Sequence, residues 1–276
     1  MRAGYRGLLL GLLLCGCLLA QAACERPLRV GVGALGAAYY QGPDGPQGIV
    51  VDLMTELSRR SGCTFRTEAL PRQRLWAMYA NGDIDLVPAA LKTPERDLSG
   101  DFVLYAASRT DLLLRKRHSL ATIRNMNDVQ ATPKLNLGLV RGVTPAGRIE
   151  GFIPGLERAG RIEYSPDFDQ LFVKLQAGRL DAVLAPVVFY ERKLKELGLT
   201  ETMRVVQLPE AVFSPAGIYL QRKRIEAADR KRLTAAIESM RADGTVRAIY
   251  AKYLSAGAVE SIMQGTVGLL PTGRKR

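Results

Sequence analysis

The stretch Gly82-Asp83-Ile84-Asp85-Leu86-Val87 has a counterpart further along the chain, Gly178-Arg179-Leu180-Asp181-Ala182-Val183. In both, a glycine ends a helix-like segment and an aspartate introduces a buried strand. Each follows an earlier strand start, at residues 28–32 and 135–140. This repeat of strand, helix and Gly-x-x-Asp strand predicts two similar α/β lobes. A crevice between the strand ends of two such lobes can enclose a small molecule.

The first residues of the chain have the pattern of an export signal. Arg2 and Arg6 precede an apolar run from Leu8 to Leu19, and small residues follow at positions 20 and 22. Such a run is too short to span a bilayer comfortably and is typical of a cleaved signal peptide. We therefore expect residues 1–23 to be removed from an exported protein. The remaining length suffices for one large or two modest domains.

The cysteines fit an oxidising compartment. Cys15 and Cys17 lie in the signal segment, which leaves Cys24 and Cys63. An even pair in an exported protein predicts a disulfide, which stabilises by about 4 kcal/mol in the chain-entropy model. The alternative is lipidation of Cys17 or Cys24, because residues 14–17 loosely resemble a lipidation box.

The chain is basic, with a formal net charge of +12 over 276 residues. The excess is dispersed in short clusters rather than interleaved with aromatic residues, and export argues against nucleic acid as a partner. The charge therefore indicates a solvated basic surface, with attraction to anionic ligands or membrane surfaces as a secondary effect. His118, the only histidine, is expected in a solvated loop.

Seven segments resemble the family 3 extracellular solute-binding proteins, the receptors of polar amino-acid ABC importers. Their order and spacing are more specific than any one of them. The matching segments are residues 29–32, 48–53, 82–86, Thr93-Pro94-Glu95-Arg96, Asp101-Phe102-Val103-Leu104-Tyr105, 178–183 and 243–254.

The resemblance implies a type II periplasmic-binding-protein fold, an α/β architecture of two mixed, mainly parallel sheets with flanking helices and a two-strand hinge. Residues 24–110 and 211–255 would form lobe I, and residues 111–210 would be inserted as lobe II. Residues 256–276 lack clear periodicity and are expected to be a loosely attached C-terminal tail. The implied protein is a periplasmic monomer without cofactor or metal. It would present a solute to an ABC permease in the inner membrane.

The resemblance also implies a carboxylate site. Arg96 occupies the position at which the family's arginine grips the ligand's carboxylate, which a guanidinium can bind through two parallel donors. Val143 and Thr144 lie in the loop that would meet the same carboxylate from the second lobe. Backbone N–H groups at the start of a helix favour an anion there.

Other candidate residues come from the first lobe and the crossing segment. Tyr39 and Tyr40 would supply an aromatic wall for the ligand, and Arg74 would point into the cleft. Tyr105 is placed at the hinge. Trp76 is interpreted as core.

Two departures from the family pattern affect the ligand. Pro186 stands where amino-acid receptors carry an aspartate for the ligand's ammonium, and Leu91 stands where a hydroxyl residue is usual. An ammonium desolvated without a partner costs several kcal/mol. Glu191 or Asp167 could compensate. The expected ligand is a small carboxylate-bearing solute, either anionic or differently oriented from an ordinary amino acid.

Two other functions remain open on sequence. Cyclohexadienyl dehydratase resembles these receptors, but the cleft positions offer no obvious general acid, no Ser-His or Cys-His pair and no clustered metal ligands. We therefore expect no enzyme activity. The third possibility is a sensory protein whose liganded lobes dock on a membrane sensor.

Overall fold

The computed structural model describes residues 24–143 and 145–270. The expected signal segment, with Cys17, lies outside this part of the chain. Twelve strands and ten α-helices lie within the described ranges.

The strands are β1 (Leu28–Val32), β2 (Tyr40–Gly42), β3 (Gly45–Gln47), β4 (Phe65–Ala69), β5 (Leu86–Leu91), β6 (Gly100–Ser108), β7 (Thr110–Arg115), β8 (Leu137–Val140), β9 (Ile162–Ser165), β10 (Ala182–Pro186), β11 (Met203–Val206) and β12 (Ser214–Gln221). The helices are α1 (Ile49–Ser61), α2 (Arg72–Asn81), α3 (Pro94–Asp97), α4 (Met126–Ala131), α5 (Ile153–Arg158), α6 (Phe168–Gln176), α7 (Val187–Glu196), α8 (Ala227–Ala242), α9 (Thr245–Ala251) and α10 (Ala256–Leu269). Short 3₁₀ helices occupy His118–Leu120 and Gly147–Phe152.

Two five-stranded sheets form the framework. The first has the order β4-β1-β5-β12-β6, in which β4, β1 and β5 run parallel while β12 pairs antiparallel with β5 and β6. The second has the order β11-β7-β10-β8-β9, in which β10, β8 and β9 run parallel and β7 is antiparallel to both neighbours. The expected α/β fold with two mixed sheets and flanking helices is confirmed.

The chain passes between the sheets twice. It leaves the first sheet at the end of β6, turns at Arg109 and enters the second sheet in β7. It returns between Val206 in β11 and Ser214 in β12. These two crossings lie side by side, since Ser214 pairs with Ser108. The lobe boundaries drawn from the sequence stay a prediction.

The repeated aspartate has the same structural role in both halves. Asp85 accepts a hydrogen bond from the N–H of Arg29 in β1 at 2.8 Å, and Asp181 accepts one from the N–H of Asn136, just before β8, at 3.0 Å. Each aspartate therefore attaches the start of its own strand to the start of the neighbouring parallel strand. The sequence repeat therefore corresponds to a repeated contact between neighbouring parallel strands.

Asp85 is the more buried of the two, at 1 % exposure, and it also binds Arg26 through two hydrogen bonds of 2.6 and 2.8 Å. Burial raises the pKa of Asp85, but the hydrogen bonds from Arg26 and from the Arg29 N–H outweigh it and leave the pKa below its ordinary value. The ionised carboxylate therefore stabilises the fold above pH 3.8, and this stability is lost as the pH falls through the lowered pKa.

We expect Asp85→Asn to lower the free energy of unfolding by about 2 kcal/mol at neutral pH, because the guanidinium of Arg26 loses its charged partner. Arg26 is itself partly exposed, which holds the loss near the lower end of the range for buried pairs. Urea unfolding at neutral pH measures the loss. Asp83→Asn, an exposed neighbour on the same turn, is the matched control. Equal losses in the two variants, or a loss in Asp85→Asn that persists in acid, would contradict the proposed role.

The disulfide prediction is confirmed. Cys24 and Cys63 are bonded across a sequence separation of 39, and Cys63 is fully buried. The pair lies where β1 and β4 begin, and the N–H of Leu28 donates to the Thr64 carbonyl at 2.9 Å. A cysteine in a disulfide has no thiol for lipid attachment, so lipidation at Cys24 is excluded.

The expected loose tail is wrong for residues 256–269, which form α10. The hydroxyl of Ser255 caps this helix by accepting from the Ala258 N–H at 3.4 Å, and Val259 and Ile262 are buried in the core of the first sheet. Gly265 packs so tightly on Phe213 that an added Cβ would lie 2.5 Å from its ring. Glycines within the segment dilute the apolar period, which hides the helix in the sequence. No helix in the described part of the chain is long and apolar enough to cross a bilayer.

Candidate functional site

Three cavities lie between the two sheets and meet at one side chain, that of Arg72. The outer cavity, of about 380 Å³, lies between the ends of β1 and β5, the start of α2 and the start of α6. The enclosed cavity, of about 70 Å³, lies beside the two crossings. The side cavity, of about 400 Å³, lies between α2, α3 and the loop at Arg141 and Gly142.

Arg72 is the first residue of α2, directly after Pro71, and its side chain is half-buried between the lobes. Its guanidinium makes no hydrogen bond and no ion pair with any residue that the structure describes. Burial, and secondarily the charge of Arg96, lowers its pKa to about 10. At neutral pH the group is therefore a charged, unpaired donor in the cleft, and such a group is costly unless an anion binds it.

Arg96 lies in α3, where the Thr93 hydroxyl caps the helix by accepting from the Arg96 N–H at 3.3 Å. Its Nη1 donates to the Leu91 carbonyl at 2.7 Å, and its Cζ lies 3.7 Å from the centroid of the Trp76 ring. Burial lowers the pKa of Arg96, although the nearby Tyr219 opposes this effect. The side chain lines the side cavity together with Arg72. Two like charges therefore line one cavity, and the charge of Arg96 acts on Arg72.

Trp76 does more than fill the core. Its ring packs edge-on against Tyr79 and Tyr219, with centroids 5.8 and 6.1 Å away, yet it also lines the outer and side cavities. It therefore supports Arg96 by a cation–π contact at the boundary between core and cleft.

The expectation that Arg74 points into the cleft is wrong. Arg74 is exposed and lines none of the three cavities, whereas Arg72, one half-turn earlier, lines all of them. The reason is helix phase, because Arg72, Leu75 and Tyr79 follow the spacing of one helix face and Leu75 and Tyr79 are buried. That spacing was available in the sequence.

The aromatic wall expected from Tyr39 and Tyr40 is also wrong. Tyr39 is buried within the first lobe against α1, and Tyr40 packs under Arg192, whose Cζ lies 3.5 Å from the ring centroid. The loop that carries both tyrosines is held against α7, because the Ala37 N–H donates to the Val188 carbonyl at 2.8 Å. Gly36 in this loop lies so close to the backbone of α7 that an added Cβ would lie 2.6 Å from the Cα of Phe189.

Tyr105 lines the enclosed cavity, but its hydroxyl is already engaged. It accepts from the Ala89 N–H at 3.0 Å, and burial raises the pKa of Tyr105 to about 12. Ala89 has φ 52°, a left-handed conformation that is strained for a non-glycine residue. The pairing of β5 with β12 shifts register beside it, between Gly217 and Tyr219. This irregularity places Ala89 at both the outer and the enclosed cavities.

Three further residues from the sequence line the enclosed cavity: Leu91, Val143 and Pro186. Val143 follows the end of β8, and its N–H donates to the Val140 carbonyl at 3.1 Å. Thr144 lies outside the described residues. Sequence reasoning missed Phe168 and Phe189, whose rings stack with centroids 4.3 Å apart on the second-lobe side.

Known proteins share the sequence pattern of this chain. The model of the family described as bacterial extracellular solute-binding proteins, family 3, matches residues 28–144. This match covers less than half of the chain, and over these residues the chain is similar to the family 3 solute-binding proteins. No curated protein matches its sequence.

Solved solute-binding proteins share the fold. The arginine-, lysine-, histidine-binding protein ArtJ from Geobacillus stearothermophilus is 18% identical, with a TM-score of 0.68 over 83% of this chain and 95% of that one. A histidine kinase sensor domain has 17% identity and a TM-score of 0.69 over 83% and 96%. An ancestral amino-acid-binding protein, described as a precursor of cyclohexadienyl dehydratase, is 20% identical. Its TM-score is 0.65 over 83% of this chain and 96% of that one.

Among the described residues, three acidic side chains line these cavities, those of Glu95, Asp167 and Asp169. Asp167 caps α6 by accepting from the Gln170 N–H at 2.8 Å, and Asp169 binds Lys193 at 2.7 Å; both line the outer cavity. Glu191, suggested as a compensating acid, instead accepts from the Ser255 N–H at 3.0 Å. Within the described ranges no group of three or more His, Cys, Asp or Glu side chains could hold a metal ion.

Proposed function

We propose that this protein captures a small carboxylate-bearing solute between its lobes, with the carboxylate bound by Arg72 and Arg96. The observation that carries the proposal is the unpaired, half-buried guanidinium of Arg72 at the junction of all three cavities. A carboxylate there would supply the missing acceptor and relieve the repulsion between the two arginines. Charge-assisted bonds of this kind contribute about 1.5–3 kcal/mol each.

The proposed setting is the periplasm, with delivery of the solute to an ABC permease. The signal-like first residues, the disulfide and the family match support this setting. The relatives of similar fold include amino-acid-binding proteins, which supports a solute of comparable size. A histidine kinase sensor domain of the same fold makes docking on a membrane sensor the competing outcome.

Titration of the purified protein with amino acids, organic acids and amines tests the proposal. We expect carboxylates to bind with a dissociation constant of about 1–10 µM, which corresponds to about 7–8 kcal/mol and is within reach of two charge-assisted bonds with apolar burial. Amines of matching shape without a carboxylate should not bind. Isothermal titration calorimetry measures both classes. Tighter binding of the amines, or no binding of any carboxylate in the panel, would end the proposal.

A further inference from the structure

The enclosed cavity is lined by positive charge and by no negative charge from the described residues. Among the described residues around it, Arg72 is the one charged side chain, and its other polar groups are hydroxyls, such as those of Ser108, Thr110 and Ser214. We propose that the solute is a carboxylic acid with an apolar body and no ammonium group beside its carboxylate. This inference rests on the proposed function, because it takes the solute's carboxylate to contact Arg72.

An ammonium group in the enclosed cavity would find no anion. Asp167 and Asp169 line the outer cavity and already accept from Gln170 and Lys193. Asp111, next to Thr110 in the crossing strand, accepts from the Tyr190 hydroxyl at 2.9 Å inside the second lobe. A cation desolvated beside Arg72 would also meet like charge. Amino acids are therefore disfavoured by the same group that attracts their carboxylate.

The apolar body follows from the remaining lining. The stacked rings of Phe168 and Phe189 close the enclosed cavity from the second lobe, and Phe168 continues into the outer cavity. There it faces hydrocarbon from Leu35, Leu75 and Val87. The outer cavity, of about 380 Å³, has room for a branched aliphatic or aromatic group. Burial of that group against this apolar part of the lining is favourable.

Matched pairs of probes test the inference. Hydrocinnamate is phenylalanine without its ammonium group, and isocaproate is leucine without it. We expect each deaminated acid to bind about tenfold or more tightly than its amino acid in calorimetric titration. Equal or tighter binding of the amino acids would overturn the inference while leaving the proposed capture of carboxylates intact. Binding of neither member of either pair would overturn both.

A substitution at the enclosed cavity separates charge from shape. Pro186→Asp adds a carboxylate at the start of α7, a position where aspartate is a favourable helix cap, and Pro186→Asn adds a similar shape without charge. We expect the preference for the deaminated acid to fall by about tenfold in the Asp variant and not in the Asn variant. An unchanged preference in a folded Pro186→Asp protein would overturn the inference.

Discussion

Arg72→Gln is expected to weaken binding of a carboxylate solute by about tenfold to a hundredfold. The substitution removes a charged donor that has no partner in the described protein, so the loss falls on the bound state. A charge-assisted hydrogen bond contributes about 1.5–3 kcal/mol, and each 1.4 kcal/mol is a factor of ten in affinity. Calorimetric titration of the tightest-binding acid measures the effect.

Arg74→Gln is the matched control, because Arg74 is an exposed arginine on the same helix, two residues away. It removes the same charge from the protein as a whole, and we expect little change in affinity. The ligand-free Arg72→Gln protein should unfold at the same temperature as the wild type or higher, since a repelled, desolvated charge is gone. A parallel loss of affinity in both variants would show that general charge, rather than the position of Arg72, matters.

Removal of the disulfide is expected to have the largest effect on stability. The double variant Cys24→Ala/Cys63→Ala should lose about 4 kcal/mol, as a loop of 39 residues is released in the unfolded chain. In a protein of this size that loss lowers the melting temperature by about 10 °C. Scanning calorimetry measures it. Affinity for the solute should change little, because the disulfide lies where β1 begins and the cleft where β1 ends.

Wild-type protein treated with a reductant provides the control for packing. If the cross-link is responsible, the reduced wild type and the double variant should melt at similar temperatures, and the oxidised wild type well above both. If the double variant melted at the same temperature as the oxidised wild type, the disulfide would not contribute the stability assigned to it.

The general fold could be predicted because its signals are local. A glycine that ends a helix and an aspartate that enters a strand occur twice, and each aspartate makes the same backbone contact in its own sheet. The disulfide followed from the placement of two strand starts. Helix α10 could not be found in this way, since glycines interrupt its apolar period and its stability comes from packing on the first sheet.

The site was only partly predictable. Arg96 could be placed by its motif, and the structure puts it at an interlobe cavity. Arg72 could have been found from the phase of α2, since the buried residues of that helix define its inner face. The positions of Tyr39 and Tyr40 could not, because a hydrogen bond from Ala37 to α7 in the other half of the fold decides where that loop lies.

The side cavity has a consequence for how a solute arrives. Among the described residues that line it, three are arginines, Arg72, Arg96 and exposed Arg141, and one is acidic, Glu95, so positive charge predominates there. For the carboxylate solute proposed above, this excess of positive charge would favour its encounter with the protein over that of a cation, and dissolved salt would weaken the preference. Selection for an anion would then begin in the rate of encounter, ahead of any contact that fixes the affinity.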